Sequence, residues 1–210
     1  MLLYHIVNRG VEKRNIVLDD SDRLRFVHDL YVMNDASPVA HIHEKTRNRK
    51  RKVLVNIHAW CLMKNHYHLL VSPIDGELDN ISLFMKKLNM GYAKYFNNKY
   101  KRSGYLWQGK YKKIAIEKDA HFLYIPYYIH LNPLDYTYKK WRKGLVHDTK
   151  KAITNLRKYR WSSYLDYIGV KNFPSVLDKE YLGDVLGSKD AQEGEIVRII
   201  STEDIASKSN

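Results

Sequence analysis

The run LMKNHYHLLVSP, residues 62–73, sets His66 and His68 one residue apart inside an apolar stretch. On an extended strand alternate side chains share a face, so His66, His68 and Leu70 point one way and Tyr67, Leu69 and Val71 the other. Two imidazoles about 7 Å apart along a strand can converge on one divalent cation. Two ligands hold a metal weakly, and a third must come from another element. Taken alone, the pair is also compatible with a polar sheet face or with chance in a chain of 10 histidines. A second pair, His41 and His43, lies beside a basic run that repels a cation, and it is read as solvated loop. His5, His58, His121, His130 and His147 stand singly and are read as structural or surface groups.

A second constellation is YYIHLNP, residues 127–133. Tyr128 and Asn132 are four apart, hence on one face of a helix. Asn132 offers a neutral carbonyl oxygen suited to Mg²⁺ or Mn²⁺. A phenol one turn earlier can attack a phosphodiester whose charge a metal neutralises. The bland reading is core packing for the tyrosine and an ordinary helix stop for Asn132-Pro133. Tyr127 is a rival nucleophile, projecting about 100° around the helix from Tyr128. Pro126 threatens a kink in that helix.

The elements that must carry these residues can be read from pattern. LLYHIVNRG (2–10) predicts a first strand and residues 19–35 a helix, with Ser21 as N-cap and Leu24, Val27, His28 and Tyr31 on its apolar face. Residues 53–63 and 66–74 are β-rich and separated by Lys64-Asn65, a hairpin signal. Residues 78–100 carry Ile81, Phe84, Met85, Leu88 and Tyr92 at helical spacing, with Asn80 or Ser82 as cap. A strand follows within 103–118, then helices in 119–133 and 160–169, and the polar stretch after about 188 predicts fraying. The order strand, helix, hairpin, helix, strand, helix predicts an α+β sandwich with an antiparallel sheet.

Composition narrows the partner. There are 36 Lys and Arg against 23 Asp and Glu, a formal charge of +13, which points to a polyanion, usually nucleic acid. The 17 tyrosines add faces on which unpaired bases can stack. Lys86, Lys87, Arg102, Lys110, Lys112 and Lys113 are expected phosphate contacts, with Arg9 and Gln108 near the cut. Lys94, Lys99 and Lys101, which with Lys86, Lys87 and Arg102 crowd the second long helix and its exit, are expected phosphate contacts too. The basic run through Lys45, Arg47, Arg49, Lys50, Arg51 and Lys52 reads as an exposed arm able to clamp a stem. The single Cys61 excludes an internal disulfide and a thiol zinc cluster. No apolar run spans a bilayer and the N-terminus is too soon polar for a signal peptide, so the expectation is an intracellular, cytoplasmic protein with no membrane partner.

Six motifs occur in order: YHIVNRG, HAWCLMKNHYHLL, LFMKKLNMGYAKYFN, GYLWQGKYKKIAIEKDAHFL, YIHLNP and WSSYLDYIG. Together, over about residues 3–170, they resemble the single-tyrosine HUH transposases, specifically the REP-associated tyrosine transposase branch. The resemblance implies a ferredoxin-like antiparallel sheet flanked by helices, in a domain of residues 1–170 with a basic insertion at 36–52 and a C-terminal extension at 171–210, partly helical or frayed. It also implies that His66 and His68 are the metal pair, Asn132 the third metal contact and Tyr128 the nucleophile. Such enzymes use Mg²⁺ or Mn²⁺ to cut single-stranded DNA beside an imperfect hairpin, leaving a 5′-phosphotyrosine and a free 3′-hydroxyl. They act as monomers or homodimers on bacterial DNA, which implies a nucleoid-associated enzyme here. The chain departs from the family pattern at Tyr67, usually a bulky aliphatic, at Lys64, commonly proline, at Tyr127, often arginine, and at Pro126. A domesticated, non-cutting binder of DNA or RNA hairpins is the competing reading, and a metal nuclease using water a third.

Overall fold

A computed structural model describes residues 2–37 and 51–203. His41, His43 and the basic arm up to Lys50 lie outside the described residues. The elements are β1 (Leu3–Arg9), α1 (Asp20–Val32), β2 (Val55–Leu62), β3 (His66–Pro73), α2 (Leu78–Lys99), β4 (Lys112–Ile116), α3 (Asp119–Leu131), α4 (Thr149–Lys158), α5 (Tyr164–Tyr167), α6 (Glu180–Leu186) and α7 (Lys189–Ser201). The four strands form one open antiparallel sheet in the order β2-β3-β1-β4. With the chain order β1-α1-β2-β3-α2-β4, this is the expected α+β, ferredoxin-like arrangement. Two compact units result, one of Met1–Ile57 with Lys64–Ala115 and one of His58–Met63 with Ile116–Asn210.

In the first unit the pairing of β1 with β3 sets the register: Tyr4 faces Val71, Val7 faces His68 and Arg9 faces His66. Both strands are buried along most of their length, as central strands with two covered faces must be. Tyr67 packs inward against Phe26 and Trp107, and its hydroxyl donates to Asn89 Oδ1 at 2.7 Å. A tyrosine thus serves where an aliphatic is usual, because its polar end has an acceptor. The five apolar residues expected on α2 are all buried, and Phe96 extends the stripe.

The expected apolar face of α1 is rotated. Leu24 and Tyr31 are exposed, whereas Asp22, Phe26, Val27, Asp29 and Leu30 are buried. Two carboxylates on the inner face hid the true stripe from a hydrophobic period. The N-cap is Asp19, not Ser21: its carboxylate accepts from Asp22 N at 2.9 Å, and Asp22 reciprocates in a capping box. The cap of α2 is Glu77, without a side-chain bond, rather than Asn80 or Ser82.

Asp22 ties α1 to α2. It accepts from Lys99 Nζ at 2.7 Å, Tyr100 Oη at 2.7 Å, Tyr95 Oη at 3.0 Å and Leu18 N at 2.8 Å. Burial alone would raise its pKa, but Lys99 and the other donors together hold it below the usual 3.8. Lys99 is therefore committed to the fold, not to phosphate.

In the second unit, WSSY works as a clasp. Ser163 Oγ accepts from Trp60 N at 3.0 Å and lies 2.8 Å from His130 Nε2, while Tyr167 Oη donates to His58 O at 2.6 Å. His130 is fully buried, which drives its pKa down to about 3 and keeps it neutral. The helix expected over 160–169 shortens to Tyr164–Tyr167. Where it is described, up to residue 203, the polar tail does not fray: α7 buries Gln192, Ile196, Ile199 and Ile200, and Val146 N donates to Ile200 O at 3.0 Å. Four anchors spaced along an otherwise polar helix suffice, and average polarity conceals them.

Asp22→Ala should lower unfolding free energy by about 2–3 kcal/mol, because it strands charged and hydroxyl donors, measurable by urea titration. The sign of the pH effect follows from the depressed carboxyl: its stabilisation is complete above pH 3.8 and lost as pH falls below it. Asp22→Asn should therefore flatten the fall of Tm in that acid window.

Candidate active site

His66 and His68 lie at the start of β3, both buried, with ring centroids 5.0 Å apart and planes at 79°. Each ring is held through Nδ1. His66 Nδ1 is 2.7 Å from Asn65 Oδ1, in the turn that joins β2 to β3. His68 Nδ1 is 2.9 Å from His5 Nε2 on β1, with the ring centroids 5.1 Å apart and the planes 15° from parallel. His5 was not legible as part of this site. It sits two residues before Val7, the partner of His68, so it shares that face. Only the register reveals this, and register is not written in β1 alone.

Among the described residues no group of three or more His, Cys, Asp or Glu is arranged to hold a metal ion. The strand pair supplies two nitrogen donors with their Nδ1 atoms already engaged. That set fits part of the shell of Mn²⁺ or Mg²⁺, whose remaining places take neutral oxygens, water or phosphate.

Tyr127, Tyr128 and Asn132 belong to the second unit. Tyr127 is 8% exposed, and burial pushes its phenol up to about 12. Tyr128 is half-buried, its ring 6.1 Å from Tyr124 and 6.0 Å from Trp141. Of the two rivals, Tyr128 is thus the more open to a substrate. Helix α3 runs through Pro126 without interruption to Leu131.

Asn132 is fully buried. Its Nδ2 donates to Tyr128 O at 2.7 Å and Ile129 O at 3.5 Å. Pro133 has no N–H to offer Ile129 O, so the neighbouring amide makes up the deficit. Asn132 Oδ1 accepts from Arg142 Nη2 at 3.0 Å, and Arg142 is also paired with Asp135, through Nη1 and through Nη2 at 2.9 Å. The guanidinium lies 5.5 Å from the Tyr128 ring centre and 4.4 Å from that of Trp141. Arg142 had no signal in the sequence, since Asp135 and Arg142 sit on separate short 3-10 turns.

The expected DNA contacts divide. Lys86 and Lys110 line a cleft of about 320 Å³ with Asn8, Asn89, Trp107 and Tyr111, all in the first unit. Arg9 and Gln108 are exposed, and Gln108 N donates to Arg9 O at 2.8 Å. Lys112 and Lys113 are exposed on β4, Lys113 lying 5.2 Å from the Tyr4 ring centre. Arg102 bonds Asn97 Oδ1 at 2.8 Å. Lys87 departs from expectation: its ammonium bonds the carbonyls of Asp35 and, at 2.7 Å, Ser37, as a brace on the segment after α1.

Residues 1–132 match the family model described as "Transposase IS200 like". The chain belongs to this IS200-like transposase family. The matched stretch contains His66, His68, Tyr128 and Asn132. Among solved structures, one similar chain is a REP-associated tyrosine transposase bound to a REP hairpin; identity is 14%, the TM-score is 0.47, and 85% of this chain and 86% of that one are covered. No curated protein matches the chain. Among the described residues no helix is long and apolar enough to cross a membrane.

For a transposase of this family the lysine division is testable by titrating single-stranded DNA at several salt concentrations. Replacing Lys86 and Lys110 together with Ala should weaken binding and reduce the salt slope by about 1–2. Lys87→Ala should lower Tm and leave the slope unchanged.

Proposed function

We propose that this chain is a strand-transferring endonuclease of the REP-associated branch, acting on single-stranded DNA beside an imperfect hairpin. His66 and His68 hold a divalent cation, Mg²⁺ or Mn²⁺, and Tyr128 is the nucleophile. The observation that carries this reading is the pair of adjacent imidazoles, each engaged at Nδ1, in a chain of the IS200-like family. The bound cation would neutralise the scissile phosphate and polarise its phosphorus.

The residues then divide the work. Tyr128 Oη attacks phosphorus, the P–O3′ bond breaks, and the 3′-oxygen leaves and takes a proton, while the phenol's proton passes to solvent. The products are a 5′-phosphotyrosine and a 3′-hydroxyl, which can attack the link and restore a phosphodiester without water or ATP. Arg142, its charge balanced by Asp135, orients Tyr128 and steadies negative charge gathering there. We assign Asn132 to hold Arg142 and the last turn of α3. Its oxygen keeps one lone pair beside the guanidinium bond, and a cation there would share that atom with a second positive group.

The cleft of Lys86, Lys110, Trp107 and Tyr111 would receive unpaired bases by stacking, with its lysines on phosphate. Residues 1–170 would form the catalytic domain, with 171–210 as its extension.

Incubation with Mn²⁺ and labelled hairpin-bearing single-stranded DNA, followed by a denaturing gel, tests the proposal. A covalent adduct is expected, absent in Tyr128→Phe and retained in Tyr127→Phe. His66→Ala and His68→Ala should abolish the adduct with hairpin affinity kept within a few-fold. Cleavage without adduct would indicate hydrolysis by water, and neither product would indicate a binder. Arg142→Met should slow adduct formation by about 10²-fold and leave DNA affinity nearly unchanged.

A further inference from the structure

We propose that His5 and Asn65 fix the proton positions on the two metal-binding histidines, so that His68 and His66 both present Nε2 as the ligand atom. The inference rests on the metal reading above and adds two positioning residues to it.

For His66 the donor inventory assigns the proton. Asn65 Nδ2 donates to Lys13 O at 3.2 Å, which fixes the amide and turns Oδ1 towards the ring. That oxygen can only accept, so the proton in the 2.7 Å contact belongs to His66 Nδ1. A neutral imidazole carries a single N–H, and Nε2 is then the nitrogen with the lone pair.

For His68 the contact joins two ring nitrogens, which share one proton. If His5 donated, His68 would carry its own proton on Nε2, and that nitrogen could not bind a cation. If His68 donates from Nδ1, its Nε2 is the ligand and His5 Nε2 the acceptor. Metal binding therefore selects the state in which His5 is neutral and protonated on Nδ1. His5 is 6% exposed and His68 4%, so water competes little for this bond. The rings meet edge to edge in nearly parallel planes, 15° apart, so turning His68 about its χ2 would break this bond. His5 and Asn65 reach the pair from different elements, the neighbouring strand and the hairpin turn. Each is fixed by backbone pairing: His5 through its register opposite Leu70, Asn65 through the bond from Gly10 N to its carbonyl at 2.9 Å.

The test is Mn²⁺ affinity of the full-length, DNA-free chain by calorimetry, with imidazole tautomers read by ¹⁵N NMR on the metal-free protein. His68→Ala should remove the bound Mn²⁺. His5→Leu and Asn65→Leu should each weaken binding about 10–100-fold. His5→Gln places an amide acceptor near the position of the lost Nε2, and Asn65→Asp keeps an acceptor oxygen; both should bind within a few-fold of wild type. In the spectrum, His66 should carry its proton on Nδ1. If wild type and His68→Ala bind Mn²⁺ alike, the metal reading itself fails. If His68→Ala abolishes binding but both leucine variants match wild type, this inference alone is overturned. It is likewise overturned if His5→Gln loses as much as His5→Leu, which would leave the ring a packing role only, or if His66 carries its proton on Nε2. Should His5→Leu fail to fold, the His5→Gln affinity and the wild-type spectrum decide the matter.

Discussion

The antiparallel pairing of β1 with β3 is the constraint on which the histidine pair of the candidate site depends. Opposite residues on paired strands share a face, and the register of Val7 with His68 and Arg9 with His66 brings His5 onto the face of the histidine pair. A slip of one residue would turn every β1 side chain to the other side of the sheet. His5 would lose His68, and Arg9 would no longer share the face of His66. The register is held where slippage would cost most. Both strands are buried, and Tyr67 is anchored between Phe26, Trp107 and the Asn89 amide on the opposite face.

Pattern reading served best where one physical rule dominated. The β3 alternation, the hairpin signal and the apolar stripe of α2 are local signals, and each returned the observed element, with Met63 added to the expected Lys64-Asn65 connection. It failed where charges substitute for hydrophobes. Asp22 and Asp29 face inward on α1 because Lys99 and Arg25 meet them, so a hydrophobic period chose the wrong stripe. The same blindness touched α7, whose few isoleucines are diluted by charge. At the candidate site, His66, His68 and Tyr128 stood out by type and spacing. His5 and Arg142 did not, since each joins the site through contacts between elements that the chain pattern does not encode, and Asn65, although next to His66, carried only a turn signal.

The basic surplus also resolves into distinct duties. Lys99 and Lys87 are spent inside the first unit, one on a buried carboxylate and the other on backbone carbonyls. Lys86 and Lys110 remain at a cleft that also holds aromatic faces and amides. The hydrogen-bond inventory thus separates lysines that hold the fold from those that remain at the cleft. A count of positive residues along α2 overstates the binding surface.

The Asn132-Pro133 step joins folding and chemistry in the second unit. Pro133 ends α3 and deprives Ile129 O of its normal donor, a deficit that would loosen the turn bearing Tyr128. The Asn132 amide covers both Tyr128 O and Ile129 O and, from its other end, receives Arg142. One buried side chain therefore fixes the backbone under the phenol and the cation beside it. Such a residue needs an acceptor and a donor in fixed opposition, which Asn provides and Asp, with no donor when ionised, does not. The amide thus serves the geometry of the α3 end and of Arg142 at once.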